Sequence, residues 1–326
     1  MNFLKRERAE GRLRDLSYLL HPKAIFSTFK YLMETEPGSI ALLRTVRSQR
    51  PEISATQYVA DLHAHPYISH ANTRGDFFHT LKIMVKNNVS ALAVTTHGKG
   101  NPREMDFWDI KEFILANDLG SALEFRDVGS TFSIKHNGKR LEFIASYEMY
   151  VEVPGVSGRV DVVNLLPEKG FIEKARPGMT LSDYAKLNRD YDAIMIGAHP
   201  YTIWDPHGPR GFFRFRIASD GERKAIQDNY FPLMDAVDRV SSNCAWMIES
   251  NALLLQDFGK TLTNSDAHCK TRYVRHELGR AGNILKHGIG LREAILSGQY
   301  RNYLRYTPIL QFLISIAFDK PQKDFP

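Results

Sequence analysis

Between residues 57 and 268, nearly every apolar, strand-like run of this chain stops on a side chain that can ligate a metal. Tyr58-Val59-Ala60-Asp61-Leu62 leads into His63 and His65, Val89 to Thr96 into His97, and Leu141 to Tyr147 into Glu148. Ala193 to Ala198 leads into His199, Ala245 to Ile248 into Glu249, and Thr261 to Ser265 into Asp266 and His268. One more run, Val160 to Leu166, carries Asp161 near its start. Helical stretches intervene, the first with an apolar face of Phe77, Leu81, Met84 and Val85 closed by Asn87-Asn88, so the pattern is that of an α/β chain. In a barrel of parallel strands the C-terminal ends meet on one face, so ligands far apart in sequence would share one pocket.

The first run also has a local logic. Residues i and i+2 of an extended chain project from the same side, so His63 and His65 can reach one ion together. Imidazole suits zinc, iron and similar ions. His21, His79, His136, His207, His276 and His287 fall on helical or loop stretches and read as ordinary polar residues.

Length and composition fit this reading. With 326 residues, 43% hydrophobic and 25% charged, the chain can bury the core of one large barrel domain. The net charge of +6 favours phosphate-bearing partners, although many of the basic residues stand before residue 51, where a solvated helical face also explains them. Two cysteines, Cys244 and Cys269, exclude a disulfide scaffold and fit a reducing compartment. The N-terminus has no apolar signal core, and the longest apolar run, Ile309 to Phe318, is too short for a bilayer, so a cytoplasmic protein is expected. Residues 1–56 read as an N-terminal helical extension, 57–300 as the barrel, and 301–326 as a tail packing on it. No internal repeat and no Gly-rich nucleotide loop is found. The Gly/Pro-rich segment Pro206 to Arg216 reads as a lid over the pocket or as a packed Arg/Phe hairpin.

Taken together, these motifs resemble the PHP (polymerase and histidinol phosphatase) superfamily of metal-dependent phosphoesterases. Asp61-Leu62-His63-Ala64-His65 is similar to the family's opening motif, with His70 where a further Asp or His follows. Thr95-Thr96-His97 stands for its Thr-Asp-His, Glu148 for its bridging glutamate, His199-Pro200 for its His-Pro, and Ser265-Asp266-Ala267-His268 for its closing motif. A histidine usual between the glutamate and the His-Pro has no counterpart, and Asp161 is the nearest candidate. The resemblance implies a distorted (β/α)7, TIM-like barrel holding two to three divalent ions of zinc, manganese or iron. His63, His65, Glu148 and Asp266 would hold the first. Glu148, His199 and Asp161 would hold the second, and His70, His97 and His268 the third.

The implied activity is hydrolysis of a small phosphate monoester of nucleotide, sugar phosphate or histidinol phosphate type, by in-line attack of a hydroxide bridging two ions. His63, His65, Glu148 and Asp266 act through those ions. Lys99, Arg103, Arg210 and Arg214 are the candidates for binding phosphate oxygens. A PHP-type nuclease is the alternative, for which the arginines and phenylalanines of 210–216 would line a strand-binding groove. An amidohydrolase-like enzyme ranks lower, because Glu148 stands where those sites use a modified lysine. A metal-binding scaffold without activity also ranks lower, given the near-complete ligand set.

Overall fold

The structure, a computed structural model, describes residues 52–66, 74–97, 106–117, 119–176, 178–205, 215–241, 245–258, 261–267 and 278–307. The expected helical extension falls on residues that lie, but for 52–56, outside this set, as does the tail beyond residue 307.

The described elements alternate as the apolar pattern requires. In order they are β1 (Gln57–Asp61), α1 (Arg74–Lys86), β2 (Ala91–His97), α2 (Phe107–Ala116), α3 (Leu119–Ala122), β3 (Arg126–Val128), β4 (Thr131–His136) and β5 (Lys139–Glu152). There follow β6 (Arg159–Leu165), α4 (Lys169–Lys174), α5 (Leu181–Asp190), β7 (Ile194–Ala198), β8 (Thr202–Trp204) and β9 (Phe215–Ile217). The remainder are α6 (Asp220–Asn229), β10 (Ala236–Val240), α7 (Ala245–Asp257), β11 (Thr261–Asn264), β12 (Ala281–Lys286), α8 (Leu291–Ser297) and β13 (Arg301–Leu304). Local chemistry sets several boundaries. Asp106 caps α2 by accepting from the backbone N–H groups of Trp108 and Asp109, and Asp109 answers the Asp106 N–H. Ser219 and Glu222 form the same reciprocal box at the start of α6.

The strands form one sheet in the order β11-β10-β7-β6-β5-β2-β1-β12-β13. The pairs β1/β2, β2/β5, β7/β10 and β10/β11 are parallel. Strand β6 runs antiparallel to both neighbours, β5 and β7, so its beginning lies at the end where β1, β2, β5, β7, β10 and β11 finish. Side chains join the two sides of the remaining gap. Asn283 on β12 accepts from the Thr263 N–H of β11 at 3.0 Å and donates to the Thr263 carbonyl at 3.0 Å, while the Thr263 hydroxyl donates to Gly282 at 2.9 Å. The sheet is thus a nearly closed barrel, and the expected α/β barrel is present.

Its interior is filled by small and branched residues, including Ala60, Leu62, Ala91, Ala93, Ile144, Val163, Ile196, Ala236 and Leu262. Helices α1 to α3 and α4 to α7 cover the outside through two further apolar clusters. Among the described residues no helix is long and apolar enough to cross a membrane.

Two readings of the sequence are corrected. Ala245 to Ile248 belongs to helix α7 and is no strand; Met247, Ile248, Ser250, Asn251 and Leu254 are buried along it, spaced as one helical face. The strand that precedes β11 is β10, which the sequence reading passed over. Glu148 lies inside the long β5 and does not follow its end. Of the expected Arg/Phe loop, Phe215 to Ile217 pairs with β8, and 206–214 lie outside the described residues.

Candidate metal centre

Strand alternation fixes which side chains reach the barrel mouth. Ile144, an interior residue of β5, shares its face with Ser146, Glu148 and Tyr150, two positions apart each time. His97 is the register partner of Glu148 on the parallel strand β2. Asp161 stands opposite Tyr150 on β6 and reaches the mouth because that strand is reversed. His199 follows β7 directly and Asp266 follows β11 after Ser265, both in left-handed backbone conformations, with φ of +32° and +47°. Such conformations are costly outside glycine and persist where the surroundings demand them.

The result is a ring of imidazoles and carboxylates around Glu148. Its Oε2 lies 3.2 Å from His65 Nε2 and 3.4 Å from His97 Nε2, and its Oε1 lies 3.4 Å from His63 Nε2 and 3.9 Å from His199 Nε2. Asp266 Oδ1 is 3.5 Å from His63 and 3.6 Å from His65, and His199 is 3.9 Å from Asp161. Three sets of donor atoms each fall within 4.8 Å of one another: His63, His65 and Asp266; His65, His97 and Glu148; and Glu148, Asp161 and His199.

These residues fit a divalent cation. His63 Nε2, Asp161 Oδ1 and His199 Nδ1 are buried without a hydrogen bond, although buried polar atoms are ordinarily paired. Nitrogen and oxygen donors in this mixture suit zinc, manganese or iron. The electrostatics agree. Burial opposes charge on His63, but the Asp266, Glu148 and Asp238 carboxylates outweigh it and hold the imidazole well above its usual range. Burial likewise works against Glu148 and is overcome by His63 and His65, which keep it well below the carboxylate range. Asp161 is pushed well above that range by burial and by the Glu148 and Asp266 charges. Asp266 is pushed up to about 8, by burial first and then by Glu148 and Asp238 against the pull of His63. Burial lowers His199.

Beneath the ring lies a buried polar layer that the sequence reading missed. Asp238, on the interior face of β10, accepts from His63 Nδ1 at 2.9 Å, from the His199 backbone N–H at 2.9 Å and from Asn264 Nδ2 at 3.0 Å. This leaves the Nε2 atom of His63 turned to the ring. Asp61, the first residue of the opening motif, accepts from the Ser265 and Gly279 N–H groups at 2.9 and 3.1 Å. It holds the closing segment against β1 and belongs to none of the three donor sets. An aspartate inside the short Ala236–Val240 run has no spacing signature; only its alternation with apolar neighbours could have revealed the strand.

Of the expected ligands, His63, His65, His97, Glu148, Asp161, His199 and Asp266 are brought together. His97 lies beside His65 and Glu148, while its expected companions His70 and His268 lie outside the described residues. The same holds for Lys99, Arg103, Arg210 and Arg214.

No family model matches the chain, and no curated protein matches it in sequence. Among the solved structures similar to it are the following three. The first is the lesion-specific endonuclease PfuEndoQ from Pyrococcus furiosus, at 19% identity and TM-score 0.42, over 76% of this chain and 57% of the endonuclease. This chain therefore spans little more than half of that protein's length. The second is PsfC from Pseudomonas syringae, at 12% identity and TM-score 0.46, over 80% of this chain and 96% of PsfC. The third is a two-domain protein from Bacteroides vulgatus containing a predicted PHP-like metal-dependent phosphoesterase. It shares 15% identity at TM-score 0.46, over 84% of this chain and 74% of its own. A predicted PHP-like phosphoesterase is thus among the solved structures that this chain resembles.

Proposed function

We propose that the chain is a PHP-type, metal-dependent phosphoesterase that hydrolyses a small phosphate ester. The observation that carries this reading is the convergence of three ligand sets at the mouth of a barrel, two of them sharing Glu148 and two sharing His65. Shared ligands favour ions close enough to act on one substrate group. His63, His65 and Asp266 would hold one ion, Glu148, Asp161 and His199 a second, and His97 would contribute beside His65 and Glu148. Divalent ions bound there supply Lewis acidity toward a phosphoryl oxygen and lower the pKa of water.

The protein's own part is to fix these donors. Asp238 sets the ring orientation of His63, the strand reversal delivers Asp161, and the buried floor excludes bulk water from below. A second reading, hydrolysis within nucleic acid, is favoured by the aromatic pair Tyr150 and Trp204 beside the ring, since aromatic platforms serve strand binding.

Metal content by elemental analysis, on protein purified without chelator, tests the proposal. It is paired with phosphate release from nucleotides, sugar phosphates and short oligonucleotides with manganese or zinc supplied. Two or three ions per chain with turnover of a small ester are expected. Oligonucleotide shortening alone would favour the second reading, and protein that binds no metal would overturn both.

A further inference from the structure

Strands β5 and β6 continue past the ligand ring as a projecting ribbon. Beyond Glu148, the same face of β5 carries Tyr150; opposite, the face that carries Asp161 carries Arg159. Strand β8 adds Trp204, the register partner of Arg159, to this face. The Tyr150 and Trp204 rings stack at 5.6 Å with 27° between their planes, and the Arg159 guanidinium lies 5.1 Å from the Trp204 centroid. Gly158, next to Arg159, allows β8 this close, because a Cβ there would meet Ile203 Cγ2 and the Trp204 carbonyl.

Two features of this wall are unexplained by packing. Among the described residues, Arg159 faces Glu152 across the ribbon but makes no ion pair with it, and its exposed guanidinium donates no hydrogen bond, although Trp204 holds it in place. Among the described residues, the hydroxyl of the half-buried Tyr150 also makes no hydrogen bond. A donor and a fixed cation therefore line one side of the mouth with their hydrogen-bonding capacity unused.

We infer that Tyr150 and Arg159 form a substrate subsite, in which Tyr150 donates to an oxygen of the ester and Arg159 binds a second phosphate of the same molecule. Two residues along a strand span roughly 7 Å, so Arg159 stands too far from the ring to serve the reacting phosphate and at a fitting distance for another anion. The inference rests on the proposed phosphoesterase site and adds the class of its substrate. Either a small bisphosphate or an oligonucleotide end, whose terminal phosphate adjoins a phosphodiester, has this chemistry.

Calorimetric binding to the manganese-supplied protein tests it, comparing fructose 1,6-bisphosphate with fructose 6-phosphate, and the 5′-phosphorylated dinucleotide of deoxyadenosine with deoxyadenosine 5′-monophosphate. Wild type should bind at least one of the doubly charged ligands roughly tenfold more tightly than its singly charged partner. The pair that shows the preference identifies the source of the second phosphate. Arg159→Gln should abolish that preference while leaving affinity for the monophosphate within about twofold, and Arg159→Lys should restore part of it. Tyr150→Phe should weaken both members of the pair and leave their ratio unchanged. Equal affinity within both pairs, or a preference that survives in Arg159→Gln, would overturn the subsite. Because binding is read without turnover, absence of phosphate release would count against the phosphoesterase alone, and release without preference against the subsite alone.

Discussion

His63 Nδ1 and Asp238 Oδ2 lie 2.9 Å apart, both fully buried, and this contact ties the first ligand of the ring to a strand 175 residues away. A carboxylate behind a ligating imidazole fixes its tautomer and raises its basicity. Asp238→Ala should therefore lower metal affinity by about 10- to 100-fold, read by competition with a chelating dye. Asp238→Asn keeps an acceptor for His63 and should lose less.

Removing a ligand should separate chemistry from folding. Asp266→Ala, or His63→Ala, is expected to abolish ester hydrolysis while the far-ultraviolet circular dichroism stays that of the wild type. Full activity in a purified variant of checked metal content would remove the proposed mechanism.

Chelation should cost stability. If the ring binds ions only when folded, metal at about 100 times its dissociation constant contributes about 2.7 kcal/mol. Exhaustive dialysis against EDTA should lower Tm, and titration with manganese or zinc should restore it in proportion to occupancy. A Tm indifferent to both would mean that the ring holds no ion.

Asn283 closes the barrel, and its loss should be felt globally. Asn283→Ala would leave the Thr263 N–H and carbonyl unpaired in a dry interior, at about 1–3 kcal/mol for each such group. Urea unfolding should show a fall of about 3 kcal/mol, without change in the far-ultraviolet spectrum of the variant that still folds.

Glu222 offers a pH test away from the ring. Its carboxylate takes two hydrogen bonds from Arg216, two from Ser157 and two from Ser219. The Arg216 contact leads the causes that hold it far below the carboxylate range, with burial opposing. A carboxyl depressed in the folded state stabilises above its unfolded pKa of about 4.3, and that contribution is lost as pH falls toward the folded value. Glu222→Gln should cost about 1–2 kcal/mol at pH 7, and the Tm gap to wild type should narrow steadily below about pH 4.

The legible parts of the site were those whose side chains repeat a pattern along the chain. His63 and His65 declare themselves by spacing, and His97, His199 and Asp266 by standing next to apolar runs. Asp161 was visible near the start of its run, but why a residue at a strand's beginning should reach the mouth follows only from the reversal of β6. Asp238 was hidden because Ala236–Val240 is short and holds two charges, while the nearby Ala245 to Ile248 offered a more apolar run. A short apolar run does not distinguish strand from buried helix, and α7 shows its helical spacing only when the window reaches Leu254. Arg159, just before the Val160 run, was not singled out, since the role proposed for it depends on Trp204 arriving from β8.

The reversed strand changes what can vary in this barrel. A parallel neighbour of β5 would require a crossover with its own helix, whereas β6 follows through residues 153–158 alone, in a hairpin that rises directly above the ring. Lengthening a flexible loop costs little, about 0.6 kcal/mol for each doubling. Insertions at 154–156, short of the Ser157 that Glu222 and Arg216 hold, would therefore reshape one rim of the mouth while the residues of the ring on either side stay in register. In the proposed phosphoesterase the hairpin would make selectivity an adjustable part of the molecule, separable from the chemistry at its base.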